Sequence, residues 1–238
     1  MKKNYNTLMQ NSVVLLFLSL LMGGCAMPSP TIDTGPNAEV TFDGLHEIQN
    51  STADKAWAMP GVDLSNYTKI TLQSAGIEYR PGGESGRTFI ARSRGGPYEV
   101  TEEQKARLSE LAGEVFIEEL GKSERFTLVN EAGPDVLVVR AALLDVVSYV
   151  PPETTGRSDV YLSTVGEATL VLELRDSITD TILIRAIDRD LAEDMSGMMS
   201  ESNRVTNTAE VRRLIRGWMS TLRERLDSFN GYSSAAAE

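Results

Sequence analysis

Gly166-Glu167-Ala168-Thr169-Leu170-Val171-Leu172-Glu173-Leu174-Arg175-Asp176-Ser177-Ile178-Thr179-Asp180 is the stretch whose reading decides the fold. Ala168, Leu170, Leu172 and Leu174 share one parity, with Val160 and Leu162 upstream; Tyr161, Ser163, Glu167, Thr169, Glu173 and Arg175 share the other. Successive side chains of a strand point to opposite faces. The segment is therefore a strand with one dry and one wet face, as in antiparallel sheets that cover a core on one side. Asp176 to Asp180 reads as a hairpin loop that returns into Ile182-Leu183-Ile184.

Outward from that strand, Val136 to Val150 is long and apolar and ends at Pro151-Pro152, as expected of a central strand. Arg125 to Asn130 is another strand, and Glu131-Ala132-Gly133-Pro134-Asp135 is a turn. Thr101-Glu102-Glu103-Gln104 is a capping box, which opens a helix. Its apolar face is Leu108, Leu111, Ala112, Val115, Phe116 and Leu120, and Gly121 is its stop. Tyr67 to Gln73 alternates as a strand, Val40 and Phe42 begin a short one, and the glycine-rich residues 77–99 form a hairpin or long loop. After a polar loop at 194–206, Asn207 or Thr208 caps a last helix with Val211, Leu214, Ile215, Trp218, Met219, Leu222, Leu226 and Phe229 as its buried stripe. The expectation is one α+β domain over 39–230, with a mostly antiparallel sheet of about five to six strands and two amphipathic helices on one face.

The chain is 238 residues long, 41% apolar and 24% charged, which suits a globular core. A net charge of −11 argues against nucleic acid, which needs a basic face. One cysteine and one histidine permit neither an intrachain disulfide nor a Cys/His zinc set, and no cofactor is implied.

The N-terminus gives an address. Lys2 and Lys3 precede an apolar run from Val13 to Met22, too short to cross a bilayer but suited to an export signal. Leu21-Met22-Gly23-Gly24-Cys25 resembles the lipobox of bacterial lipoproteins, with Met22 where leucine is commoner. That resemblance implies cleavage between Gly24 and Cys25, a diacylglycerol on the Cys25 thiol and acylation of the new amine. Residues 1–24 are then the signal, 25–38 the acylated cysteine with a flexible tether, and 231–238 a disordered tail. Two or three acyl chains make a durable anchor where one does not. Ala26, where an aspartate would resemble an inner-membrane retention signal, favours the periplasmic face of the outer membrane of a Gram-negative cell. The 214 residues that remain carry 21 basic and 34 acidic groups, a formal charge of −13, so the acyl chains and not a basic patch must hold the membrane.

Several residues are candidates for chemistry. His46 is the only base for a histidine-dependent triad, and no G-x-S-x-G elbow accompanies it. Asp188 and Asp190, followed by Glu193 and Asp194, form a carboxylate series that suits a hard cation or an unrecognised hydrolase, but Arg185 and Arg189 are interleaved as ion-pair partners. Gly82 to Gly86 has a phosphate-cradle composition but leads into a strand-like segment rather than a helix. Arg80, Arg87, Arg92 and Arg94 make a locally basic loop, which reads first as a mobile hairpin and otherwise as a candidate contact for an acidic partner or a glycan-linked phosphate. The first helix is rich in glutamate and the last in arginine, so the two either complement each other as neighbours or offer two docking surfaces.

Ala56 to Tyr67, Val136 to Asp145, and Gly166 to Leu174 with the turn behind it together resemble the lipoprotein family known only as domain of unknown function 3313, over roughly 42–229. The resemblance implies a lipoprotein and an α+β fold, and no catalytic residues. The expected function is a non-enzymatic envelope lipoprotein that binds an envelope protein or polymer. A lipid-anchored hydrolase using Asp188 and Asp190 and an accessory lipid-transport subunit are the alternatives.

Overall fold

The structure is a computed structural model that describes residues 29–81, 97–152, 159–193 and 198–234. In chain order the elements are β1 (Thr31–Ile32), β2 (His46–Gln49), β3 (Lys55–Ala58), β4 (Lys69–Tyr79), α1 (Glu102–Leu120), β5 (Thr127–Leu128), β6 (Val136–Ser148), β7 (Tyr161–Leu162), β8 (Thr164–Asp176), β9 (Ile182–Glu193), β10 (Ser200–Glu201), α2 (Arg204–Asp227) and β11 (Ser233–Ser234).

Among the described residues nine strands form one mixed sheet in the order β11-β1-β2-β3-β9-β8-β6-β4-β5, and β10 and β7 pair separately. The meander β6-β8-β9 is antiparallel, as the short connections require. β4 runs parallel to β6, so α1 lies in the crossover between them. The fold is α+β and its sheet mostly antiparallel, but the strand count exceeds the expected five to six. The additional strands are two to four residues long, too short to show an alternation in sequence.

The alternation of β8 holds where it matters. Ala168, Leu170, Leu172 and Leu174 are buried, and they pack beside Leu137, Val139, Ala141 and Leu143 of β6 and Ile184 of β9. Val115 and Leu120 of α1 and Ile215, Trp218, Met219 and Leu226 of α2 join this same core, so both helices lie on one face of the sheet. The expected single strand from Val160 is broken, because Tyr161 and Leu162 turn away to pair with β10.

The capping box of α1 is formed: Gln104 N–H donates to Thr101 Oγ1 at 3.3 Å and Thr101 N–H to Gln104 Oε1 at 2.8 Å. α2 starts earlier than its apolar stripe suggests, since Asn203 rather than Asn207 or Thr208 is the cap. Asn203 Oδ1 accepts from the N–H groups of Val205 and Thr206, both at 3.0 Å. The two helices are neighbours, and their charges complement each other: Glu114 meets Arg212 at 2.8 Å, and Glu118 and Glu119 meet Arg216 at 3.2 and 3.1 Å.

Order extends past both expected ends. Ile32 is buried in the core although composition assigns it to the tether, and β11 pairs with β1 where a tail was expected. Tyr232 packs edge-on against Phe229. An apolar side chain within a polar segment gives no periodicity to detect.

One irregularity shapes the sheet. The register of β6 against β8 slips between Leu144 and Val147, and Asp145 there adopts a left-handed φ of 53°. Opposite the slip, a Cβ on Gly166 would lie 2.4 Å from the carbonyl oxygen of Val147, so only glycine lets the strands approach this closely.

Candidate functional site

The face of the sheet that the helices leave uncovered carries the unusual chemistry. Gln73, Arg140, Glu173, Arg185, Trp57 and Glu47 are successive cross-strand partners through β4, β6, β8, β9, β3 and β2. Each alternates with core residues of its own strand, so the row points away from the helices.

Its ion pairs form a chain. Glu173 takes Arg175 at 2.7 Å and Arg185 at 3.0 Å, Arg185 reaches Asp43 at 2.6 Å, and Arg175 reaches Asp180 at 2.9 Å. Burial pushes the Asp43 carboxyl upward, but the hydrogen bonds from Arg185 and Thr41 outweigh it and hold Asp43 below the usual carboxylate range. Arg140 stands outside this chain. It is half-buried, and its guanidinium has no hydrogen-bond or ion-pair partner among the described residues. It lines a depression of about 250 Å³ together with Ala75, Ala142, Val171, Glu173 and Arg175.

A second network lies at the register slip. Arg80 forks onto Asp145, with Nε at 2.7 Å from Oδ1, and meets Glu167 at 3.3 Å; Arg189 joins Glu167 at 2.7 Å and Asp145 at 3.2 Å. The hydrogen bond from Arg80 is the main reason that the Asp145 carboxyl sits below its ordinary range. Burial, and then the Glu167 charge, push the neighbouring Tyr149 phenol up.

The residues singled out in the sequence are distributed differently from their expected grouping. Arg80 is engaged in the pair with Asp145, so its guanidinium serves the sheet rather than an open contact loop. Gly24, Cys25, Arg87, Arg92, Arg94, Asp194 and the segment Gly82 to Gly86 lie outside the described residues. His46 Nδ1 donates to the carbonyl of Asp33 at 2.8 Å, which ties β2 to the chain after β1. Asp188 points to the helix side, where it accepts from Trp218 Nε1 at 2.7 Å and from the Asp54 N–H at 3.1 Å; Asp190 accepts from the N–H of Leu191. Among the described residues no three His, Cys, Asp or Glu side chains are grouped to hold a metal ion. No described helix is long and apolar enough to cross a membrane. Arg140 itself escapes the sequence reading, although a cation at a wet-parity position inside the otherwise apolar run Val136 to Leu144 is a signal that could have raised it.

Residues 38–222 match the model of the family described as protein of unknown function DUF3313. The chain belongs to this family. In the DUF3313 fold two of the segments that suggested it meet: Tyr67 Oη donates to Asp176 Oδ2 at 2.8 Å, just behind the Asp63–Tyr67 approach to β4. Burial and that carboxylate push the Tyr67 phenol up to about 12. Among solved structures, this DUF3313 chain is similar to protein XCC0632 from Xanthomonas campestris, at 10% identity over 82% of this chain and 93% of that one, with a TM-score of 0.40. It is also similar to PelC from Paraburkholderia phytofirmans, at 11% identity over 69% and 96% with a TM-score of 0.33. A third is the hypothetical protein CT253 from Chlamydia trachomatis, at 12% identity over 66% and 96% with a TM-score of 0.32. Likenesses this weak assign no activity. No curated protein matches the chain.

Proposed function

We propose that this DUF3313 protein is an exported lipoprotein, anchored through acylated Cys25 to the periplasmic face of the outer membrane, whose domain binds an envelope protein or polymer and catalyses nothing. The observation that carries the binding part is the helix-free face. Val138, Ala142, Leu144, Val171 and Ile187 are only half-buried there, between ordered ion pairs, and beside them Arg140 has no partner among the described residues. An apolar strip framed by fixed charges suits a protein or polymer surface, because the apolar area supplies affinity and the charges supply register. The anchor rests on the lipobox-like Leu21 to Cys25 segment. The carboxylates that a hydrolase would need are engaged: Asp188 holds Trp218 and the Asp54 amide.

Two measurements test the reading. Cys25→Ala should move the protein from the membrane to the soluble fraction of lysed cells, and continued membrane association would remove the anchor from the account. Site-directed crosslinking in intact cells from the helix-free face should give a discrete adduct, and its absence there would remove the binding module.

A further inference from the structure

We infer that Arg140 and the depression beside it are a recognition site for an aliphatic carboxylate. The inference rests on the helix-free face being a binding surface, and it names the ligand chemistry.

Four other arginines of this face, Arg80, Arg175, Arg185 and Arg189, each hold a carboxylate. Arg140 has the carboxylate of Glu173 as its direct cross-strand neighbour and still does not hold it, because Arg175 and Arg185 take both oxygens of Glu173. A guanidinium is charged at every accessible pH and carries five donors in a fixed fork. Half-burying such a group without an acceptor is unfavourable. Among the described residues nothing supplies that acceptor, so the guanidinium faces solvent with its donors open to a ligand, and the fork fits a carboxylate or a phosphate.

Two features of the site select between them. Arg175 lines the depression too, but it is paired with Glu173 and Asp180, so one open cation faces the ligand there, and the chain's net charge of −11 disfavours a second negative charge. A monoanion fits and a dianionic phosphate does not. Ala75, Ala142 and Val171 line the same depression, small apolar side chains that offer a few methylenes an apolar surface. The volume of about 250 Å³ lies below the roughly 300–1,000 Å³ of pockets for drug-sized ligands. The occupant is therefore a carboxylate on a short aliphatic stem, either a free acid or the glutamate side chain of a bound protein.

The test is amide chemical-shift titration of the full-length ¹⁵N-labelled protein in detergent micelles, with sodium butyrate, N-acetylglutamate methylamide, butylammonium and inorganic phosphate. Butyrate or the glutamate mimic should shift Ala75, Ala142 and Val171 saturably while butylammonium leaves them in place. Arg140→Gln should weaken the response roughly tenfold, the loss expected for a charge-assisted pair, and Arg140→Lys should recover part of it. Unchanged far-UV circular dichroism of both variants separates a lost site from a lost fold. Tighter binding of the mimic assigns the carboxylate to a partner's side chain, and tighter binding of butyrate assigns it to a free acid. Saturation unaffected by Arg140→Gln, phosphate binding tighter than either carboxylate, or no saturable shift at these residues would overturn the inference. If the carboxylates fail while crosslinks still form from the helix-free face, the ligand class falls and the binding module stands.

Discussion

Trp57 and Trp218 form a matched pair in one chain. Both are 7% exposed, but Trp218 Nε1 donates to Asp188 at 2.7 Å, whereas Trp57 Nε1 is buried with no hydrogen-bond partner among the described residues. Replacing either with phenylalanine removes the indole N–H and some volume, so the packing loss is common to both. At Trp218 the substitution also removes a hydrogen bond to a charged acceptor, worth about 1.5–3 kcal/mol. At Trp57 it relieves an unsatisfied donor, worth about 1–3 kcal/mol in the opposite sense. Trp218→Phe should therefore be less stable than Trp57→Phe by at least about 2 kcal/mol. For a domain of this size that gap is roughly 4–8 °C in Tm. Urea unfolding followed by far-UV circular dichroism measures it directly. Equal destabilisation of the two variants, or a larger loss in Trp57→Phe, would refute the assignment of Asp188 as a structural acceptor and return it to the list of free carboxylates.

Gly166→Ala places a methyl 2.4 Å from the Val147 carbonyl, so the β6–β8 slip must open; a loss of about 3 kcal/mol, at the upper end of overpacking costs, should appear as a lower urea midpoint with an unchanged slope. Tyr67→Phe should cost about 1–2 kcal/mol at neutral pH through the lost bond to Asp176. The wild-type phenol titrates up at about 12 against an ordinary value near 10. Its contribution is therefore complete below about pH 10 and lost as pH rises through about 12. Alkaline unfolding curves should differ between wild type and Tyr67→Phe below that window and converge above it. Asp176 has the opposite sign: the Thr179 N–H is the largest of the bonds that hold its carboxyl low. Its contribution is present above about pH 4 and lost as pH falls further, so Asp176→Asn should flatten the acid limb of stability against pH.

The elements with long periodic patterns were legible in the sequence. β6, β8 and α2 carry enough alternating or three-and-four spaced apolar residues to fix which face is buried, and Thr101 with Gln104 places the start of α1 to the residue. β5 was legible within Arg125 to Asn130, but β1 and β11 were not, because a two-residue strand has no period and owes its place to partners remote in sequence. The same reason hid the start of α2. Arg204 to Thr208 precede the buried stripe, so only Asn203 and its two amide bonds reveal the turn. The wet parity of β8 foretold the helix-free face, but not which of its charges would be left over. That depends on Arg175 and Arg185 both reaching Glu173 before Arg140 can, a competition among three strands that one strand's pattern cannot express.

The most direct test of the account is photocrosslinking in intact cells from two single positions of the full-length protein. One is Thr169, half-buried on the helix-free face between Leu144 and Arg189; the other is Glu110, exposed on α1. A discrete adduct from Thr169 and none from Glu110 is the expected result. An adduct from Glu110 alone, or none from either position, would contradict the assignment of the helix-free face as the surface through which this protein acts.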